Sequence, residues 1–130
     1  MAPEIFEPGP DGYTAGVDWY ALGILIFEML SGSSPFPLSE NTTLDDIAEC
    51  ILQGIYELKE WPESIDHDAE EVICDLMEPE AETRLGIRGR GVREVMEHEW
   101  FVGVDWKKTA MRHVVPPGLP YVVDSGDTSA

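Results

Sequence analysis

Two carboxylates, Asp18 and Glu28, stand inside the most apolar stretch of the chain, Val17-Asp-Trp-Tyr-Ala-Leu-Gly-Ile-Leu-Ile-Phe-Glu-Met-Leu30. Paired carboxylates are common equipment for general acid–base chemistry. These two are ten residues apart, which on a helix of 3.6 residues per turn sets them roughly 80° from each other, so they do not form a catalytic pair. Gly86-Ile-Arg-Gly-Arg-Gly91 combines glycines with two arginines, the ingredients of a phosphate loop. No strand is expected before it and its glycine spacing is not that of a phosphate-binding motif, so it reads as a surface loop. His67, His98 and His113 are scattered outside any metal motif such as His-Glu-x-x-His and read as surface or packing residues. Cys50 and Cys74 are too few for a disulfide scaffold and have no close metal-ligand spacing, which fits reduced thiols inside the cell.

The charge balance limits the partners. Eight Lys and Arg against twenty-six Asp and Glu give a net charge of −18 over 130 residues. Nucleic-acid backbones and anionic lipid both demand a surplus of the opposite sign, so neither is expected as a partner. Between Glu40 and Glu82 fifteen acids face Lys59 alone, a net of −14. Such a run is ordinarily a solvated face, and it also favours encounter with basic peptides. The segment Met1-Ala-Pro-Glu-Ile-Phe-Glu-Pro8 lacks the basic and apolar regions of a secretory signal, and the apolar run 17–30 is short of the roughly 20 residues that span a bilayer. A cytoplasmic protein is the expectation.

The elements that must position these residues are helices. Eleven of the fourteen residues of 17–30 are apolar, so this helix has no polar face and needs cover all round. Gly32 suits a left-handed position at its end, and Pro35 and Pro37 stop it. Leu44, Ile47, Ala48, Ile51 and Leu52 fall at helical spacing and predict an amphipathic helix over 43–53; residues 68–77 repeat the pattern, and 92–101 carry Val92, Val95, Met96 and Trp100 on one side. Residues 78–91 read as loop, and the chain beyond Trp106 reads as an extended Pro- and Gly-rich tail. The class is mainly α, and three short amphipathic helices are too few to cover the long one, which points to a larger domain.

Ala2-Pro-Glu4, Val17-Asp-Trp-Tyr-Ala-Leu-Gly23, Pro35-Phe36, Arg84 and His98-Glu-Trp-Phe101 come in a familiar order. Together they resemble the helical C-terminal lobe of a eukaryotic protein kinase. Phe101-Val-Gly-Val-Asp-Trp106 and Gly126-Asp-Thr-Ser129 look like the start of the C-terminal tail of the AGC group of serine/threonine kinases, closest to its cyclic-nucleotide-dependent branch. The resemblance divides the chain into a partial kinase domain over 1–101 and the start of that tail over 102–130.

The resemblance implies four residue roles. Glu4 pairs with Arg84 in a buried ion pair that ties the end of the activation segment to the lobe. Asp18 accepts backbone hydrogen bonds from the catalytic loop, beyond the bland role of a first-turn acid that caps free N–H groups. Glu28 binds an arginine upstream of the phosphoacceptor in basic-directed substrates, a charge-assisted contact. ATP and Mg2+ are implied for the complete kinase. Phosphoryl transfer needs a lid over the phosphates, a lysine on them, a catalytic aspartate and a metal-holding aspartate. The sequence has no His-Arg-Asp, no Asp-Phe-Gly, no strand lysine and no Gly-rich lid. The expectation is therefore a lobe segment that contributes to a serine/threonine kinase, with the remainder of the kinase domain and basic protein substrates as partners, and no catalysis or cofactor binding alone. The competing reading is a stand-alone acidic module that binds basic peptides or kinase partners.

Overall fold

The computed structural model describes residues 2–5, 15–36, 40–55 and 60–116, except for the side chain of Glu4. Lys59, Pro37 and the tail motif Gly126-Asp-Thr-Ser129 lie outside the described residues. Among the described residues the structure is all-helical and holds no strand. Helix α1 spans Gly16–Ser31, α2 Leu44–Gln53, α3 His67–Leu76, α4 Val92–Met96 and α5 Trp106–Ala110; single 3-10 turns cover Pro3–Ile5, Ala81–Thr83 and Glu99–Phe101.

Three helix boundaries have a clear local cause. The α1 helix ends where Ser31 Oγ donates to the Phe27 carbonyl at 2.7 Å and Gly32, at φ +80°, donates its N–H to Glu28 O. That left-handed turn is the one the sequence required of Gly32. A reciprocal capping box opens α2: Thr43 Oγ1 accepts from Asp46 N–H, and an Asp46 carboxylate oxygen accepts from Thr43 N–H, both at 3.1 Å. Asp66 opens α3 by accepting from the Ala69 N–H at 2.9 Å.

The core lies where α1 crosses α3. Tyr20, Gly23, Ile26 and Phe27 of α1 are buried against Ala69, Val72, Ile73 and Leu76 of α3. Gly23 permits the close approach: a Cβ there would lie 2.6 Å from Met77 Cγ and 3.1 Å from Leu76 Cβ. Phe27 meets Trp61 edge to face at 5.7 Å between centroids, which carries the core to the segment before α3. Of the stripe expected on α2, Ile51 is fully buried, whereas Leu44 is 77% exposed.

Cover on α1 is one-sided. Asp18, Ala21, Leu25, Glu28 and Met29 are exposed, and at 100° per residue they share an arc of about 100°. Leu25 is 49% and Met29 65% exposed. The helix that reads as apolar all round thus buries one face here and presents another, apolar in its middle, to solvent.

Two expectations are corrected toward the C-terminus. The helix expected over 92–101 is α4 followed by a separate turn, because His98 takes an extended backbone (ψ 145°) and its Nδ1 accepts from Trp100 N–H. The segment after Trp106 is helical before it is anything else: Asp105 caps α5 by accepting from Lys108 N–H at 3.0 Å, and Trp106 is fixed by its indole N–H to Met96 O at 3.1 Å and by Phe101 at 5.0 Å.

Candidate functional site around the long helix

Arg84 is the only charged side chain among the buried residues described, with no exposed surface. Its Nε donates to Glu78 O at 2.8 Å, Nη1 to Gly16 O at 2.8 Å and Nη2 to Pro79 O at 3.3 Å. The guanidinium carbon lies 5.0 Å from the centroid of the Tyr20 ring, within cation–π range. Arg84 thereby fastens the loop after α3 to the first turn of α1. The side chain of Glu4, expected as its partner, lies outside the described residues.

Beside that anchor, Ala15, Asp18, Trp19 and Leu22 line an open groove of about 300 Å³. Asp18 is exposed there, and the start of α1 has no side-chain cap, so the capping role available to it is not the one it takes. A carboxylate in the first turn still gains from the helix dipole. Glu28 is exposed near the other end of α1, about 15 Å along the axis from Asp18 at 1.5 Å per residue. The structure therefore places Arg84 and Asp18 at one end of the helix and keeps Glu28 apart from both.

The glycine loop is drawn together by an acid that sequence reasoning missed. Glu94 Oε1 accepts from the N–H groups of Gly86 at 2.6 Å and Arg88 at 3.0 Å, and Oε2 accepts from Arg90 N–H at 3.1 Å. Burial pushes the Glu94 carboxyl up, but these three donors and the nearby Arg88 charge outweigh it and hold the group below the usual carboxylate range. Gly86 itself, at φ +100°, passes under Trp19, where an added Cβ would lie 2.5 Å from the indole. Arg90 pairs with Glu97 through both guanidinium nitrogens. The signal available in the sequence was an acid three residues beyond a glycine-rich turn.

Asp75 is a second junction that the sequence did not single out. Its carboxylate meets His98 Nε2 at 3.1 Å and Arg88 at 3.5 Å, while its carbonyl accepts from Leu85 N–H at 3.0 Å. Because His98 Nδ1 accepts from Trp100 N–H, the neutral ring carries its proton on Nε2 and donates to Asp75. His98 is thus a structural tie, with a side chain only 11% exposed; His67 is a surface residue 3.3 Å from Glu71. Neither cysteine is disulfide-bonded. The Cys74 thiol is pushed up from 9.0 to about 12, first by burial and then by Glu70, Asp75, Glu78 and Glu71.

Among the described residues no group of three or more His, Cys, Asp or Glu is placed to hold a metal ion, and no helix is long and apolar enough to cross a membrane. The described residues do not fit a nucleotide–Mg2+ site: the N–H groups of Gly86, Arg88 and Arg90 in the glycine loop are engaged by Glu94, and the sequence has neither His-Arg-Asp nor Asp-Phe-Gly.

The family described as protein kinase domain matches residues 1–101. The chain belongs to the protein kinase domain family. Over 130 residues, 99% of its length, it is 38% identical to the human cAMP-dependent protein kinase catalytic subunit PRKX, of which it spans 34%. It is 33% identical over 120 residues, 92% of the chain, to G protein-coupled receptor kinase 2 of Caenorhabditis elegans and spans 16% of that protein. It is 35% identical over 122 residues, 94% of the chain, to the serine/threonine-protein kinase AtPK1/AtPK6 of Arabidopsis thaliana and spans 24% of it. These relatives are AGC-type kinases. This kinase-domain chain therefore spans about a third or less of the relatives it resembles, and its all-helical structure matches the helical C-terminal lobe. Membership in the family implies ATP and Mg2+ for a complete enzyme and protein as its substrate.

Proposed function

We propose that this chain acts as the C-terminal-lobe part of a serine/threonine protein kinase that transfers the γ-phosphate of ATP to protein Ser or Thr in a basic sequence context, in the cytoplasm. The observation that carries this reading is the half-covered α1 helix: Ala21, Leu25 and Met29 form an exposed apolar strip beside the Asp18 groove. A large exposed apolar strip calls for a partner surface. In this reading the remainder of the kinase domain covers it, and the catalytic-loop backbone donates to Asp18. Glu4 completes the Arg84 anchor, and Glu28 receives a substrate arginine. ATP and magnesium are held by the rest of the domain, and the segment 102–130 begins the tail.

The test is an immunoblot of the endogenous protein with an antibody against residues 107–124, followed by kinase assays on the species found. A band far above 14.5 kDa that phosphorylates a peptide with an upstream arginine, and loses that preference as Glu28→Ala, supports the reading. An unchanged preference removes the Glu28 role. A sole band at 14.5 kDa without kinase activity favours an acidic module that binds basic peptides.

A further inference from the structure

The loop 86–91 has the construction of an anion receptor. Three backbone N–H groups, from Gly86, Arg88 and Arg90, converge on one carboxylate at 2.6 to 3.1 Å, and the alternate residues that donate them leave the Arg88 and Arg90 side chains exposed at the rim. N–H groups from alternate residues, with Ile87 N–H turned away to the Arg84 carbonyl, point at one place and give it partial positive charge, as in other concave anion sites of backbone N–H groups. The surroundings reinforce it: seven of the eight Lys and Arg of this acidic chain lie between Arg84 and Arg112. Arg88 and Arg90 on the loop and Arg93 in the first turn of α4 are exposed within six residues, with Arg88 beside Asp75 and Arg90 paired with Glu97.

We infer that residues 86–91 form an oxyanion site for a phosphate group, and that Glu94 is its tethered occupant, a plug that keeps the site closed. Glu94 offers a single charge and two acceptor oxygens. A phosphate monoester brings ≈ −1.5 to −2 charge and three strong acceptor oxygens, which also suits guanidinium groups. What Glu94 has in its favour is attachment: a tethered group acts at an effective concentration on the order of millimolar or above. A free phosphate must compete with that in the native chain and need not once Glu94 is removed.

The experiment is a titration of the full 130-residue chain with inorganic phosphate, followed through the amide resonances of Gly86, Arg88 and Arg90, with chloride at matched ionic strength as control. Glu94→Ala should show saturable shifts at these three amides, with phosphate affinity at least roughly tenfold tighter than in the native chain. A parallel titration with O-phosphoserine separates the sources: tighter binding than inorganic phosphate marks a phosphorylated side chain, equal binding marks free phosphate. If Glu94→Ala does not fold, phosphate should restore its dispersed spectrum, and Glu94→Gln, which keeps the side chain's volume, carries the titration. Absence of a phosphate response at the three amides in every folded variant, or an equal response to chloride, overturns the inference.

Discussion

The guanidinium carbon of Arg84 lies over the Tyr20 ring, 5.0 Å from its centroid, while its Nη1 donates to the Gly16 carbonyl at 2.8 Å. One side chain thus grips α1 at its first carbonyl and again one turn later. The same side chain also donates to the Glu78 and Pro79 carbonyls on the loop that leaves α3.

Replacing this group should be severe. Arg84→Ala leaves the buried Gly16 carbonyl and the half-buried Glu78 and Pro79 carbonyls without this donor and is expected to cost about 3–5 kcal/mol, in the range of other broken buried charge networks. Arg84→Lys should recover only part of it, since an ammonium cannot reproduce the planar fork. Thermal unfolding followed by circular dichroism checks both, and an Arg84→Ala chain that melts with the native one refutes the anchoring role.

Gly23→Ala should destabilise although alanine is the better helix former. The new methyl meets Met77 Cγ at 2.6 Å and Leu76 Cβ at 3.1 Å, so α1 and α3 must move apart or Met77 must change rotamer. Overpacking of this kind costs about 1–3 kcal/mol against a propensity gain of about 1. Denaturant midpoints measure the difference, and Met77→Ala combined with Gly23→Ala should relieve part of it.

The Cys74 thiol, held up to about 12 by burial and by Glu70, Asp75, Glu78 and Glu71, stays protonated at neutral pH. Iodoacetamide at pH 7.5 should modify it far more slowly in the folded chain than in urea, because the thiolate is the nucleophile. The sign of the stability effect follows from linkage. Above 9.0 the unfolded thiol loses its proton while the folded one keeps it, so stability falls with rising pH from there toward about 12. In Cys74→Ser that slope should be shallower.

Glu94 works in the opposite direction. Its carboxyl is held low in the folded chain, so its contribution is fully present above the ordinary carboxylate pKa and is lost as pH falls through the lowered folded value. Acid should therefore loosen the 86–91 loop, and Glu94→Gln should remove that acid dependence. Amide exchange at Gly86, Arg88 and Arg90 reads it, and equal protection in both chains at every pH contradicts it.

Trp106→Ala should release α5 and leave the core standing. The indole supplies the hydrogen bond to Met96 O and the ring contact to Phe101 at 5.0 Å, whereas the core helices α1 and α3 do not depend on it. Loss of protection confined to 106–112, with an unchanged melting temperature for the rest, is the expected pattern in hydrogen exchange.

Which parts of this were legible in the residues follows from how far their causes lie along the chain. The three long helices were, because their causes are local: apolar spacing, Thr43, Asp66 and Gly32 all act within a turn of the boundary they set. The break at His98 and the short α5 were not, because apolar periodicity runs through the first, and the second depends on Asp105 as a cap and on Trp106 reaching back to Met96. At the site, Asp18 and Glu28 stood out as acids in an apolar run. Asp75 and Glu94 looked like surface acids, since the donors that give them a role come from Arg88, His98 and the backbone of a loop.

Gly86 has a further use. Its N–H is held by Glu94 and its Cα passes beneath the Trp19 indole, so the loop meets the start of α1 at a residue with no side chain. Any change in the seat of Glu94 alters the packing on one face of that indole, immediately beside Asp18. Trp19 is thereby a built-in optical probe of the loop. With Trp61, Trp100 and Trp106 replaced by phenylalanine, its emission would report events at Glu94 through Gly86.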